Sequence, residues 1–149
     1  IPRCGYMVVR LTRRDVDNIL NYRMAFETGM LRQNIDDISE EQLSELAKID
    51  ELCTGEEARR DFWKHWEYNK MFHLKLMSFT NNEFAYRSLE QALNTLTRAY
   101  AQFYWDQWNN ISFPSDTKYH KDVIEAIRLG DADKASKFLV ADMKDFKRK

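Results

Sequence analysis

The stretch DFWKHWEYNKMFHLKLMS, residues 61–78, decides how the rest of the chain is read. Phe62, Trp66, Phe72, Leu76 and Met77 recur at three- and four-residue steps with no breaker between them, so the spacing predicts a helix with one buried face. That helix is expected to run from about Glu56 to Ser78. The same stripe, followed through Phe62, Trp66, Asn69, His73 and Leu76, carries two polar side chains four residues apart on the face that should be buried.

The pattern extends outward in both directions. Toward the N-terminus, Ser39 followed by Glu40, Glu41 and Gln42 is a capping-box start, and Leu43, Leu46 and Ile49 give that helix an apolar face as far as the Thr54-Gly55 break. Before it, Thr12 can cap a first helix running to about Ile35, with Val16, Ile19, Leu20, Met30 and Leu31 on its stripe. Toward the C-terminus, Asn81-Asn82 ends the quoted segment. A fourth helix is expected from about Glu83 to Gln107, with Leu89, Leu93, Leu96, Tyr100 and Phe103, and then a loop from Trp108 to Pro114. Ser115 and Asp116 can cap a fifth helix carrying Val123, Ile124 and Ile127, which Gly130 closes. Asp131 opens a sixth with Ala135, Phe138, Leu139 and Phe146. The fold class is therefore all-α, an antiparallel bundle of about six helices.

Composition agrees. Only 4 Gly and 2 Pro occur in 149 residues, about 4% where ordinary usage is roughly 12%, which excludes a turn-rich β sandwich. With 23 basic and 24 acidic residues the net charge is -1, so no basic surface for nucleic acid is indicated. No run reaches the roughly 18 apolar residues of a membrane span. Cys4 and Cys53 fit neither a disulfide framework nor a zinc-finger spacing, and with no signal-peptide pattern at the start the expected location is the cytoplasm. Residues 1–10 differ from the rest: Tyr6-Met7-Val8-Val9 is a short β-prone run after Pro2 and Gly5.

The informative feature is polarity where burial is expected. His120 shares a face with Val123, Ile124 and Ile127. Asp142 lies on the stripe of Phe138, Leu139 and Phe146. Arg23 and Glu27 interrupt the first helix's stripe, and Asn69 and His73 the third's. Polar groups from four helices thus point at one interior, which is how bundles build metal and ligand pockets. Each has a plainer reading: a histidine bonded to a carbonyl, an i, i+4 ion pair for Arg23 and Glu27, a solvated Asp142 at a frayed helix end. His65, about 12 Å along the axis from His73 at 1.5 Å per residue, is peripheral. The aromatic cluster Tyr100, Phe103, Tyr104, Trp105 and Trp108 reads as core and dimer surface. No H-E-x-x-H, di-iron E-x-x-H, G-x-S-x-G or phosphate-cradling loop is present, so no enzyme is indicated.

These residues carry a family resemblance. Arg23-x-x-x-Glu27, Asn69-x-x-Phe72-His73, His120-Lys-Asp-Val-Ile-Glu-Ala-Ile127 ahead of Gly130-Asp131, and Ala135 leading to Asp142 resemble, in order and separation, the effector-binding FCD domain of GntR-family transcriptional regulators of the FadR type. Six helices are similar to the VanR-like subgroup. The resemblance implies that residues 11–149 form an effector-binding and dimerisation domain, and that residues 1–10 are the wing strand and linker of a winged helix-turn-helix domain that the chain lacks. It implies a homodimer with DNA contacted only through that missing domain, no membrane association, and a small-molecule effector, a carboxylate or related metabolite.

The family holds a divalent metal, commonly zinc or nickel, with one Asp and three His. His73 and His120 match that motif. Asn69 and Asp142 depart from it, the first replacing Asp by a neutral amide and the second replacing His by a carboxylate. The implied ligands are His73, His120 and Asp142, with Asn69 assisting and Arg23 neutralising the effector. Without metal, Arg23 and a protonated histidine would hold the acid directly. The rival readings are a small metal-dependent enzyme and a ligand-free helical dimerisation module.

Overall fold

Most of the described helices begin where a side chain takes up amides that the first turn leaves unbonded. The computed structural model describes residues 10–108 and 118–148, and its elements are α1 (Arg13–Asn34) with a 3-10 turn at Ile35–Asp37, α2 (Glu40–Thr54), α3 (Glu56–Arg60), α4 (Phe62–Ser78), α5 (Glu83–Trp108), α6 (Lys118–Arg128) and α7 (Ala132–Arg148). Thr12 and Ser39 both form complete capping boxes, with Asp15 and Gln42 reaching back to the cap amides. Asn82 accepts from the Ala85 amide at the start of α5, and Asp131 from the Lys134 amide at the start of α7. Gly130, at φ 69°, closes α6; its own N–H bonds Ile127 and the next N–H bonds Ala126, which satisfies the last carbonyls.

One expected boundary is wrong. The helix predicted from Glu56 to Ser78 is two helices, because Asp61 leaves the helical region (φ -130°, ψ 113°) and its carboxylate accepts from the amides of Trp63 and Lys64. A strong cap inside the stretch restarts the helix there. What remains is the five-residue α3 followed by α4, so the described residues hold six helices of eleven residues or more plus one short turn of helix.

Burial organises the bundle into two apolar clusters. One joins Leu31, Leu43, Leu46, Phe72, Leu76, Val123, Ile127, Leu139 and Met143 from α1, α2, α4, α6 and α7. The other joins Leu20, Phe62, Trp66, Leu89, Leu93, Leu96 and Tyr100 from α1, α4 and α5. α1 and α4 contribute to both, and the buried residues between Leu20 and Leu31 in α1, and between Trp66 and Phe72 in α4, are polar: Arg23 and Glu27 in the first, Asn69 in the second. α6 and α7 pack against each other as a hairpin across the Gly130 turn. At the start of α1 the Leu11 backbone bonds twice to one side chain of α5: its N–H donates to Gln102 Oε1 at 3.0 Å and its C=O accepts from Gln102 Nε2 at 2.7 Å.

The expectations for residues 1–9, for the loop that carries Pro114 and for the caps Ser115 and Asp116 lie outside the described residues, as do those for the side chains of Phe103, Tyr104, Trp105, Trp108 and Phe146. No helix among the described residues is long and apolar enough to cross a membrane.

Candidate metal and effector site

The polar groups predicted to face inward do so, and they meet. Arg23, Glu27, Asn69, His73, His120 and Asp142 are all buried, none more than 4% exposed. Asp142 is the hub. Its Oδ2 lies 2.7 Å from His73 Nε2 and 3.2 Å from Asn69 Nδ2, while its Oδ1 lies 3.2 Å from His120 Nε2. One ligand atom from each of His73, His120 and Asp142 falls within 4.8 Å of the others. These three residues form a cluster that could hold a metal ion. Asn69 presents its amide nitrogen to the cluster, 3.2 Å from His120 Nε2.

Each imidazole is also held from behind. Glu27 bridges two partners: Oε1 is 2.6 Å from His73 Nδ1, and Oε2 accepts from Arg23 Nε at 2.8 Å. Asp50 Oδ1 lies 3.3 Å from His120 Nδ1, an ion-pair contact outside hydrogen-bond geometry, and Cys53 is buried one turn further along α2. Phe72 stacks on His120 with ring centroids 3.8 Å apart and planes 3° from parallel. Arg23 Nη2 is buried with no hydrogen-bond partner.

The electrostatics follow from this crowding. Burial opposes the charged form of every group here, yet the Asp142 charge, with the polar groups of Asp50 and Cys53 beside the ring, raises the His120 pKa well above the ordinary imidazole value. Against the same burial, the His120 charge and hydrogen bonds from both imidazoles hold Asp142 well below the usual carboxylate range. Burial is outweighed at His73 by the Glu27 charge, which raises its pKa, and at Glu27 by the Arg23 charge, which lowers its own. Burial pushes the Cys53 thiol up.

A divalent cation suits this donor set for two reasons. His120 Nε2 faces an amide N–H donor and a carboxylate acceptor at the same 3.2 Å, so neither protonation state of that nitrogen satisfies both neighbours. Further, the buried carboxylates of Glu27, Asp50 and Asp142 outnumber the single guanidinium of Arg23, and the two excess negative charges are neutralised equally by two imidazolium protons or by one divalent ion. Two imidazoles and a carboxylate, with positions left for a further ligand, are a competent zinc or nickel set.

The sequence reading missed Asp50 and Cys53. The buried positions of α2 are Leu43, Leu46, Asp50 and Cys53, a regular i, i+3, i+7, i+10 stripe, and Ile49 is only partly buried beside it. His65, judged peripheral from its spacing, is buried as well but is not a member of the cluster.

Comparison with known proteins bears on the same residues. Residues 18–145 match the FCD domain family. Among solved structures, McbR/YncC of E. coli superposes with a TM-score of 0.84 at 16% identity, covering 99% of this chain and 73% of that one. A GntR-family transcriptional regulator from Pseudomonas syringae pv. tomato str. DC3000 superposes with a TM-score of 0.72 at 22% identity, covering 97% of this chain and 59% of that one. At such identities these likenesses establish the fold. No curated protein matches the sequence.

Proposed function

The chain belongs to the FCD domain family, the ligand-sensing regulatory domain of GntR-type transcriptional regulators, and on that premise we propose a sensor of a small organic acid that works through a divalent metal, zinc or nickel. The observation that carries this reading is the buried meeting of His73, His120 and Asp142. His73 and His120 would hold the ion through Nε2 and Asp142 through its carboxylate. Asn69 would assist by hydrogen bonding, its amide turning to suit the loaded site. A bound divalent ion supplies a Lewis-acidic centre at which an effector's carboxylate completes the coordination. Arg23 would neutralise that carboxylate, since its Nη2 is buried and uncommitted and a guanidinium is the side chain best suited to a planar carboxylate.

The domain occupies residues 11–149 in this reading and acts as a homodimer, with DNA contacted by a separate winged-helix domain joined through residues 1–10. Effector binding favours one packing of the bundle over another, and that preference alters the spacing of the DNA-binding heads. A metal-free polar seam is the second reading, favoured by the fact that Asp142 already pairs with both imidazoles.

Metal analysis of untagged protein, joined to a thermal-shift screen of organic acids, separates the readings. About one divalent ion per chain and an acid-dependent rise in melting temperature are expected. No metal and no shift would leave a dimerisation module, and turnover of an acid would indicate an enzyme.

A further inference from the structure

Two carboxylates that the family resemblance did not assign to the metal site each stand behind one of its imidazoles, on different helices. Glu27 of α1 lies 2.6 Å from His73 Nδ1, and Asp50 of α2 lies 3.3 Å from His120 Nδ1. Both imidazoles turn Nε2 toward Asp142. We propose that Glu27 and Asp50 are positioning residues, which fix each ring with its Nδ1–H outward and its Nε2 lone pair toward the shared site.

Packing alone cannot make that choice. Phe72 lies flat on His120 and so sets the plane of the ring, but turning the ring by half a revolution about its bond to Cβ keeps the plane and removes Nε2 from the site. Nδ1 decides between the two orientations. A carboxylate only accepts hydrogen bonds, so Asp50 favours the state in which Nδ1 carries the proton and opposes the one in which a lone pair faces it. A neutral imidazole with its proton on Nδ1 has its free lone pair on Nε2. Glu27 acts on His73 in the same way, while its other oxygen is committed to Arg23. Outer-shell carboxylates of this type orient metal-bound histidines and raise their basicity.

This assignment rests on the proposed metal reading for its effect on affinity, but not for its effect on the rings. The test therefore uses two readouts on the purified protein and on Asp50→Asn and Glu27→Gln: Zn2+ affinity by chelator competition, and ring 15N shifts, which report which nitrogen carries the proton, with Zn2+ and, in its absence, at a pH alkaline enough to leave both rings neutral. Each amide can donate to Nδ1 as well as accept from it, so the constraint is lost while the volume is kept. The expected result is a 10–100-fold loss of Zn2+ affinity in each variant, with the His120 signals moving only in Asp50→Asn and the His73 signals only in Glu27→Gln. Asp50→Glu, which restores a carboxylate, should recover the wild-type His120 tautomer, and it carries the test if the amide variant does not fold.

Unchanged ring signals in both amide variants, or affinities within about threefold of wild type, would overturn the proposal. If the wild-type protein binds no Zn2+, the metal reading fails, and the ring signals of the metal-free protein still decide whether these carboxylates position the imidazoles.

Discussion

Arg23 and Glu27 form a buried pair one helical turn apart, and the two are not equivalent in what their loss would do. Arg23→Met leaves Glu27 beside His73 but without its guanidinium, and breaking a buried pair from one side typically costs about 3–5 kcal/mol. Urea unfolding should show a loss of that order for Arg23→Met, and a smaller further loss on adding Glu27→Gln than Glu27→Gln causes alone, since the charge to be compensated has gone. Asp142→Asn removes the carboxylate that pairs with both imidazoles. It should lower Zn2+ affinity by at least about a hundredfold, measured by chelator competition. Protonation gives a signed prediction for His120, which Asp142, Asp50, Cys53 and Asn69 surround. Its raised value means that the bound proton stabilises the chelator-treated protein fully below the unfolded imidazole value of about 6.5. That contribution is lost as pH rises through the folded value. Metal must displace the same proton, so affinity rises over the same range, and melting curves of treated and Zn2+-loaded protein should diverge as the solution is made alkaline.

At the scale of elements, the capping residues explain both what the sequence revealed and what it concealed. Thr12, Ser39, Asn82, Gly130 and Asp131 each stop or start a helix by a bond local to a few residues, so their effect is visible in a single sequence. Asp61 is as local, with its carboxylate on the Trp63 and Lys64 amides. It is masked in the sequence because Ala58 and Phe62, both buried and four residues apart, keep helical spacing across it. Asp61→Ala should destabilise the protein by about 1 kcal/mol, read as a shift in urea midpoint at constant slope. The polar stripes of α1, α4, α6 and α7 were legible because each polar residue interrupts an otherwise apolar periodicity. In α2 the same logic was available and misled: Ile49 is apolar and adjacent, so it was given the place that Asp50 holds. A buried acid beside an apolar neighbour declares itself only through its partner, and His120 lies 70 positions away in sequence.

For the whole molecule, the polar seam is a joint between two apolar clusters rather than a decoration of one core. α1 and α4 belong to both clusters, and the proposed ligands sit on α4, α6 and α7. Loading the site should therefore stabilise the bundle as a unit. At a free Zn2+ concentration a hundred times the dissociation constant the gain is about 2.7 kcal/mol. A chain of this size should then melt roughly 5–10 °C higher, and EDTA should reverse the change in differential scanning calorimetry.

The two bonds between the Leu11 backbone and the Gln102 side chain give this joint a handle. An amide side chain that both donates to and accepts from one residue behaves like a partner strand, and it clasps the threshold of α1 to the far end of α5. In the proposed sensor, an effector-driven tilt of α1 would reach the backbone before Leu11 through this clasp. Severing it with Gln102→Ala should leave ligand affinity within about twofold, because distant sites act independently; if the proposed full-length regulator works in this way, its operator affinity, measured by fluorescence anisotropy, should then no longer change on adding effector.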